Sequence, residues 1–156
     1  MKSLKAFGGV LALLTTFWAV TAQAGEIQVG DLTVTHPKAR PNLPNRPTAA
    51  YMVISNDGEL ADRLISVSSP DFDVVEIHTV MKHGDVMRMM PVDGIDVPPG
   101  VGAVLEPGGH HLMLFDGTKA FKKGEEFTLE LTFEHAGTVE VTVMVEKISG
   151  GHGHGN

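Results

Sequence analysis

Residues 127–145 read FTLELTFEHAGTVEVTVMV, and this stretch decides the fold. Phe127, Leu129, Leu131 and Phe133 alternate with Thr128, Glu130 and Thr132. Val139, Val141, Val143 and Val145 then alternate with Glu140, Thr142 and Met144. Successive side chains of a strand point to opposite faces, so each run is a strand with one buried face. His135–Ala136–Gly137 supplies the turn between them. Met144 falls on the polar face and reads as a surface residue.

Working back towards the start, the same texture recurs: short apolar runs broken by turn residues, which argues for an all-β sandwich or barrel. Ile27–Val29 and Leu32–Val34 flank Gly30–Asp31, a hairpin or bulge signal. Residues 37–47 hold four prolines and read as an extended loop without sheet pairing, suited to covering a sheet edge. Strands are expected over 49–55, 64–67, 72–80, 86–90, 101–105 and 111–115, with Asn56–Asp57–Gly58, Ser68–Ser69–Pro70 and Glu106–Pro107–Gly108–Gly109 as turns. Lys82–His83–Gly84–Asp85 places His78 and Met89 on opposite arms of one hairpin, with His78 near a strand end. No long period-3.6 pattern with caps occurs, so helix content should be low.

The chemistry lies between Ile77 and Met113. His78 is followed by Met89 after ten residues, by His111 after twenty-one more, and by Met113 two further on. Imidazole and thioether together suit monovalent copper, whereas oxygen ligands suit calcium or magnesium and paired thiolates suit zinc. The chain has no cysteine, so thioether is its only soft donor. Alternation along a strand gives His111 and Met113 one face and His110 the other; Met87 shares a face with Met89, and Met90 opposes both. Each residue taken singly has an ordinary reading, since methionine fills gaps in apolar cores and a strand histidine is commonly structural. The clustering is what speaks for a site: Met81, Met87, Met89, Met90 and Met113 fall in one short span with His78, His83, His110 and His111.

The spacing H-x10-M-x21-H-x-M resembles the copper-binding signature of the periplasmic copper A chaperone family, PCu(A)C. The flanks match as well: Val75–Glu76–Ile77–His78, Gly84–Asp85–Val86–Met87–Arg88–Met89, Pro107–Gly108–Gly109, His111–Leu112–Met113–Leu114, Thr48–Ala49–Ala50–Tyr51–Met52 and Asp62–Arg63–Leu64. The resemblance covers roughly His36 to Val145. It implies a cupredoxin-like Greek-key β-sandwich in which His78, Met89, His111 and Met113 bind Cu(I). It further implies a copper chaperone delivering to a respiratory oxidase, at the copper A centre of cytochrome c oxidase, with the receiving oxidase subunit or another copper chaperone as partner. A copper buffering or resistance protein without a dedicated client would share the same ligands.

Residues 1–24 read as a secretory signal peptide: Lys2 and Lys5 open it, Phe7 to Val20 is apolar or small, and Ala22–Gln23–Ala24 is a cleavage site. A periplasmic protein starting at Gly25 is expected, with one copper-binding domain over 25–149 and no stable membrane insertion after processing. Residues 150–156, Gly-Gly-His-Gly-His-Gly-Asn, read as a flexible tail whose His152 and His154 suit Cu(II) as a secondary site. Without Lys2 and Lys5 the chain carries 10 basic against 19 acidic residues, which argues against nucleic acid or an anionic membrane; such an acidic surface can favour a basic partner but is usually only solubilising. Lack of cysteine excludes a type 1 blue-copper centre, which needs a thiolate. No acid–base pair of recognisable spacing suggests an enzyme. A monomer is expected.

Overall fold

The computed structural model describes residues 25–149. The signal peptide expected over 1–24, and the 150–156 tail with His152 and His154, lie outside the described residues. Those described form eleven strands and no helix: β1 (Glu26–Val29), β2 (Leu32–Ala39), β3 (Thr48–Asn56), β4 (Asp62–Ser68), β5 (Phe72–His83), β6 (Val86–Pro91), β7 (Ile95–Val97), β8 (Ala103–Leu105), β9 (His111–Gly117), β10 (Glu126–Phe133) and β11 (Gly137–Val145). The expected all-β architecture is found.

The hydrogen-bonded path runs β6-β5-β9-β3-β2-β11-β10-β4-β7, with β1 added to β2 and β8 added to β3. Every pair is antiparallel except β11 against β2, which is parallel. The path turns back on itself because β2 and β3 each change partners along their length. β3 pairs with β9 through Thr48–Ala50 and with β8 through Met52–Ile54. β2 pairs with β1 through its first half and with β11 through Lys38 and Ala39. Strands that pass between neighbours in this way form the corners of a sandwich.

The change in β2 has a visible cause. His36 adopts φ 53°, and the register with β3 shifts between Thr35 and Lys38. Pro37 sits inside that irregularity, where its missing N–H leaves no ladder bond unmade. The expectation that the whole of 37–47 is an unpaired loop is thus corrected: Pro37, Lys38 and Ala39 belong to β2, and only the segment from Pro41 to Pro47 is loop. Other boundaries differ from expectation as well. β5 runs on to His83, so His78 is central in it rather than near its end. β8 begins only at Ala103, not Val101. β7 was not expected; three residues ahead of Pro98–Pro99 are too few for a periodic signal.

The alternation that opened the sequence decides the core. Phe127, Leu129, Leu131 and Phe133 of β10 and Val141, Val143 and Val145 of β11 are all buried. They join Val34, Ile54, Leu64, Ile77, Leu112 and Leu114 in one cluster. Met144 is 41% exposed, on the face expected.

Asp62, the first residue of β4, ties down the turn between β10 and β11. Its Oδ1 accepts from the N–H of Arg63 at 2.7 Å and of His135 at 3.0 Å, and its Oδ2 from the N–H of Ala136 at 2.8 Å. Burial works to raise its pKa, but the three backbone donors outweigh burial and hold it below the usual carboxylate range. The ionised form is therefore favoured in the fold, and its stabilisation is present above the unfolded pKa, near 4, and lost as pH falls through the lower folded value. Asp62→Ala is expected to cost about 3 kcal/mol at pH 7, by orphaning the β10–β11 turn donors. The deficit should shrink in urea titrations carried out below about pH 4; a deficit independent of pH would show that the carboxylate charge is not the cause.

Candidate metal centre

The β5–β6 and β5–β9 registers place the four residues singled out in the sequence. His78 pairs directly with His111, and Glu76 with Met113. Val80 pairs with Met89, and Thr79 with Met90. Residues facing each other across an antiparallel pair project to the same side. His78, Met89, His111 and Met113 therefore share one face of the sheet, together with Glu76 and Met87. Met90 projects to the other side, as does Leu112, which is fully buried in the core. Of the remaining methionines, Met52 is core and Met81 is exposed on the reverse of the hairpin.

The hairpin owes its form to Gly84, whose φ of 60° suits the tight turn joining His83 to Val86. It projects from the sandwich. Met87 and Met89 are 59% and 63% exposed, and β6 is the last strand of the path. His111, by contrast, is 3% exposed. The face thus grades from a buried imidazole to open thioethers.

Met89, His111 and Met113 line one cleft of about 480 Å³, with Val80, Arg40, Tyr51 and the Pro107–Gly108 turn. Its remaining wall is the proline-rich loop, through Pro41 and Pro47. That loop is moored from behind: Asn42, buried, accepts at Oδ1 from the Phe121 N–H at 2.6 Å and donates from Nδ2 to the Lys119 carbonyl at 3.3 Å. Hence these prolines do more than shield a sheet edge. His78 is not on the cleft wall; its ring centroid lies 5.7 Å from that of His111.

Hydrogen bonds fix how each imidazole is presented. His78 Nε2 lies 2.7 Å from Glu76 Oε2. An ionised carboxylate only accepts, so Nε2 is the donor of this pair, and in the neutral ring the lone pair lies on Nδ1. His111 Nδ1 donates to the Gly109 carbonyl at 3.0 Å, leaving the lone pair on Nε2. Those two lone-pair nitrogens, His78 Nδ1 and His111 Nε2, are buried and have no hydrogen-bond partner. Orphaned buried acceptors cost free energy unless something fills them. Burial, above all, pushes the His111 pKa below the usual histidine range; the Gly109 bond opposes this, while nearby His78, His110 and Arg40 reinforce it. The ring is thereby kept neutral, the form that donates to a metal.

Sequence reasoning missed two members of this arrangement. Glu76 orients His78, and its signal was its position two residues before His78, hence on the same face. Arg40 stands on the cleft wall with no sequence signal beyond an Ala39–Arg40–Pro41 run at a strand end. No cluster of three or more imidazole and carboxylate donors able to hold a metal occurs among the described residues, so an ion held on this face would draw on thioethers.

Comparison with known proteins agrees with the geometry. The family model for LpqE-like proteins matches residues 32–145. The lipoprotein Lxx21020 of Leifsonia xyli subsp. xyli is 29% identical over 104 residues, which is 66% of this chain and 63% of that protein. The chain spans less than two-thirds of the length of the curated relatives it matches. Among solved structures, the copper-bound PCuAC domain from PmoF2 is 32% identical, with a TM-score of 0.67, over 79% of this chain and 98% of that one. The Cu(I) solution structure of DR1885 from Deinococcus radiodurans is 25% identical, with a TM-score of 0.62, over 85% and 86%. The likeness read from the H-x10-M-x21-H-x-M spacing is borne out. The chain belongs to the LpqE-like family and is a relative of the PCuAC domains, whose cupredoxin-like β fold it shares.

Proposed function

We propose that this protein is a copper chaperone that binds Cu(I) through His78 Nδ1, His111 Nε2 and the thioethers of Met89 and Met113. One observation carries the reading: two imidazoles on paired strands each leave a buried ring nitrogen without a partner, on the face that also bears both thioethers. The relatives add support, since a PCuAC domain and DR1885 were solved with copper bound. The donor set suits a carrier. Thioethers are neutral and do not compete with protons, and mixed nitrogen–sulfur ligation favours the monovalent ion. The open Met89 and the closed His111 would let a recipient's ligand replace the thioether first while the histidines still hold the ion.

The finer reading rests on the leader-like pattern of residues 1–24 and on the resemblance to the PCu(A)C family. The protein is exported to the periplasm after removal of residues 1–24, residues 25–149 act as one copper-binding domain, and the recipient is a respiratory oxidase with a copper A centre. His152 and His154 would hold Cu(II) weakly, lacking a sulfur partner. Loading the protein anaerobically with Cu(I), removing excess metal and recording the copper X-ray absorption edge and fine structure tests the core of this. One copper per chain with mixed sulfur and nitrogen neighbours is expected. Copper lost on desalting, or a shell of nitrogen and oxygen only, would sink the proposal.

A further inference from the structure

Arg40 lines the cleft beside His111 and Met113 and makes no side-chain hydrogen bond or ion pair among the described residues. Its place is nevertheless fixed. The backbone N–H donates to the Ala49 carbonyl at 3.1 Å, and its own carbonyl accepts from Thr48 Oγ1 at 2.8 Å. The guanidinium carbon stands 5.7 Å from the ring centroid of buried Tyr51, an approach at which the ring face attracts a cation. Nε is buried and without a partner. A half-buried guanidinium with an unused N–H is unfavourable unless an anion comes to it. Its neighbours on the cleft are no help, since imidazole and thioether are neutral and a bound Cu(I) would add a second positive charge.

The surroundings repeat the sign. Arg46 is exposed in the loop whose Pro41 and Pro47 wall the cleft, and Lys82 pairs with Met87 on the metal-facing side of the hairpin. Neither has an ion-pair partner among the described residues. In a chain of formal charge −7, Arg40 is thus the one charged side chain on the cleft wall, while Glu76 on the same face is engaged by His78. Net charge alone names no partner, whereas a guanidinium on the cleft wall favours an acidic one.

We propose that Arg40 receives a carboxylate of the partner protein that exchanges metal at this cleft, so that the partner docks through an acidic patch. A guanidinium fork suits that role, since it can pair with both oxygens of one carboxylate. The exchange rests on the copper-chaperone reading; the docking itself can be read without metal. The full chain, ¹⁵N-labelled and copper-free, is titrated with an acetylated Gly-Glu-Met-Glu-Gly amide and with its Gln-for-Glu twin, following the Arg40 Nε–Hε resonance and the amides of Thr48 and Gly108. Saturable shifts with the glutamate peptide are expected, at least tenfold weaker with the glutamine twin and with Arg40→Gln. Arg40→Lys should keep part of the affinity, and spectra unchanged outside the cleft would show that both variants fold. Equal binding of the two peptides, no saturable shift in the wild-type protein, or the same shifts produced by acetate at equal concentration would each overturn the proposal. Because no copper is present, this result and that of the copper loading fail separately.

Discussion

Anaerobic competition against a Cu(I) chelator is expected to show His111→Ala and His78→Ala losing affinity by about a hundredfold, and Met89→Leu and Met113→Leu by at least about tenfold. Each change removes one donor from a set of four. Leucine approximates methionine in volume, so the methionine variants should keep their fold. The controls lie within the same stretch. Met90 pairs with Thr79 and projects away from the site, Met81 projects with it, and His110 precedes the paired His111. Met90→Leu, Met81→Leu and His110→Ala should all stay within about twofold of wild type. Glu76→Ala should cost about tenfold without removing a ligand, because His78 would lose the acceptor that sets its tautomer. Proton competition adds a signature. Burial keeps His111 neutral to lower pH than an ordinary histidine, so its contribution to binding should persist below about pH 6.5 and fade only as pH drops through its depressed value. A larger loss from Met90→Leu than from Met89→Leu would mean that the β5–β6 register is wrong, and the site with it.

A stability effect as large as that of Asp62→Ala is expected one residue from the largest effect on binding. Leu112 is fully buried between Ile77 and Ala50 on the neighbouring strands, while His111 and Met113 on either side of it face the cleft. Leu112→Ala should cost about 3 kcal/mol, the transfer free energy of the lost side chain plus that of the cavity left behind. Urea unfolding of the copper-free protein should show the loss with an unchanged slope. Met113→Leu should move the midpoint by less than about 1 kcal/mol. Saturating Cu(I) should recover part of the Leu112→Ala loss, because an ion bound only to the native state adds stability by mass action. If Leu112→Ala were nearly neutral, β9 would not be the two-faced strand on which the site depends.

What could be read from the sequence followed the period of two. Phe127 to Phe133 and Val139 to Val145 gave both strands and their buried faces because alternation is a local property. The same rule separated Met89 from Met90 and His111 from His110. Where the structure went further, non-local pairing was responsible. Nothing near Pro37 says that β2 leaves β1 for β11 there, and β7 is too short to show a pattern. Glu76 sits in plain view two residues from His78, yet its role depends on side-chain geometry that spacing does not express. Arg40 is farther still from legibility: only the fold brings a residue at the end of β2 to the cleft formed by β3, β6 and β9.

The parallel pairing of β2 with β11 joins Lys38 to Met144, from nearly opposite ends of the described chain. Closing so long a loop is entropically costly before any contact rewards it, and folds dominated by such pairings take milliseconds to seconds. The β5–β6 hairpin, by contrast, can form in microseconds from residues close in sequence. Local pairing thus favours His78 and Met89 coming together on the hairpin before the long-range strands close. His111 and Met113 arrive only when β9 docks. On that order of events the chain would first present half of the proposed donor set, and a complete four-donor face would itself report that the sandwich has closed.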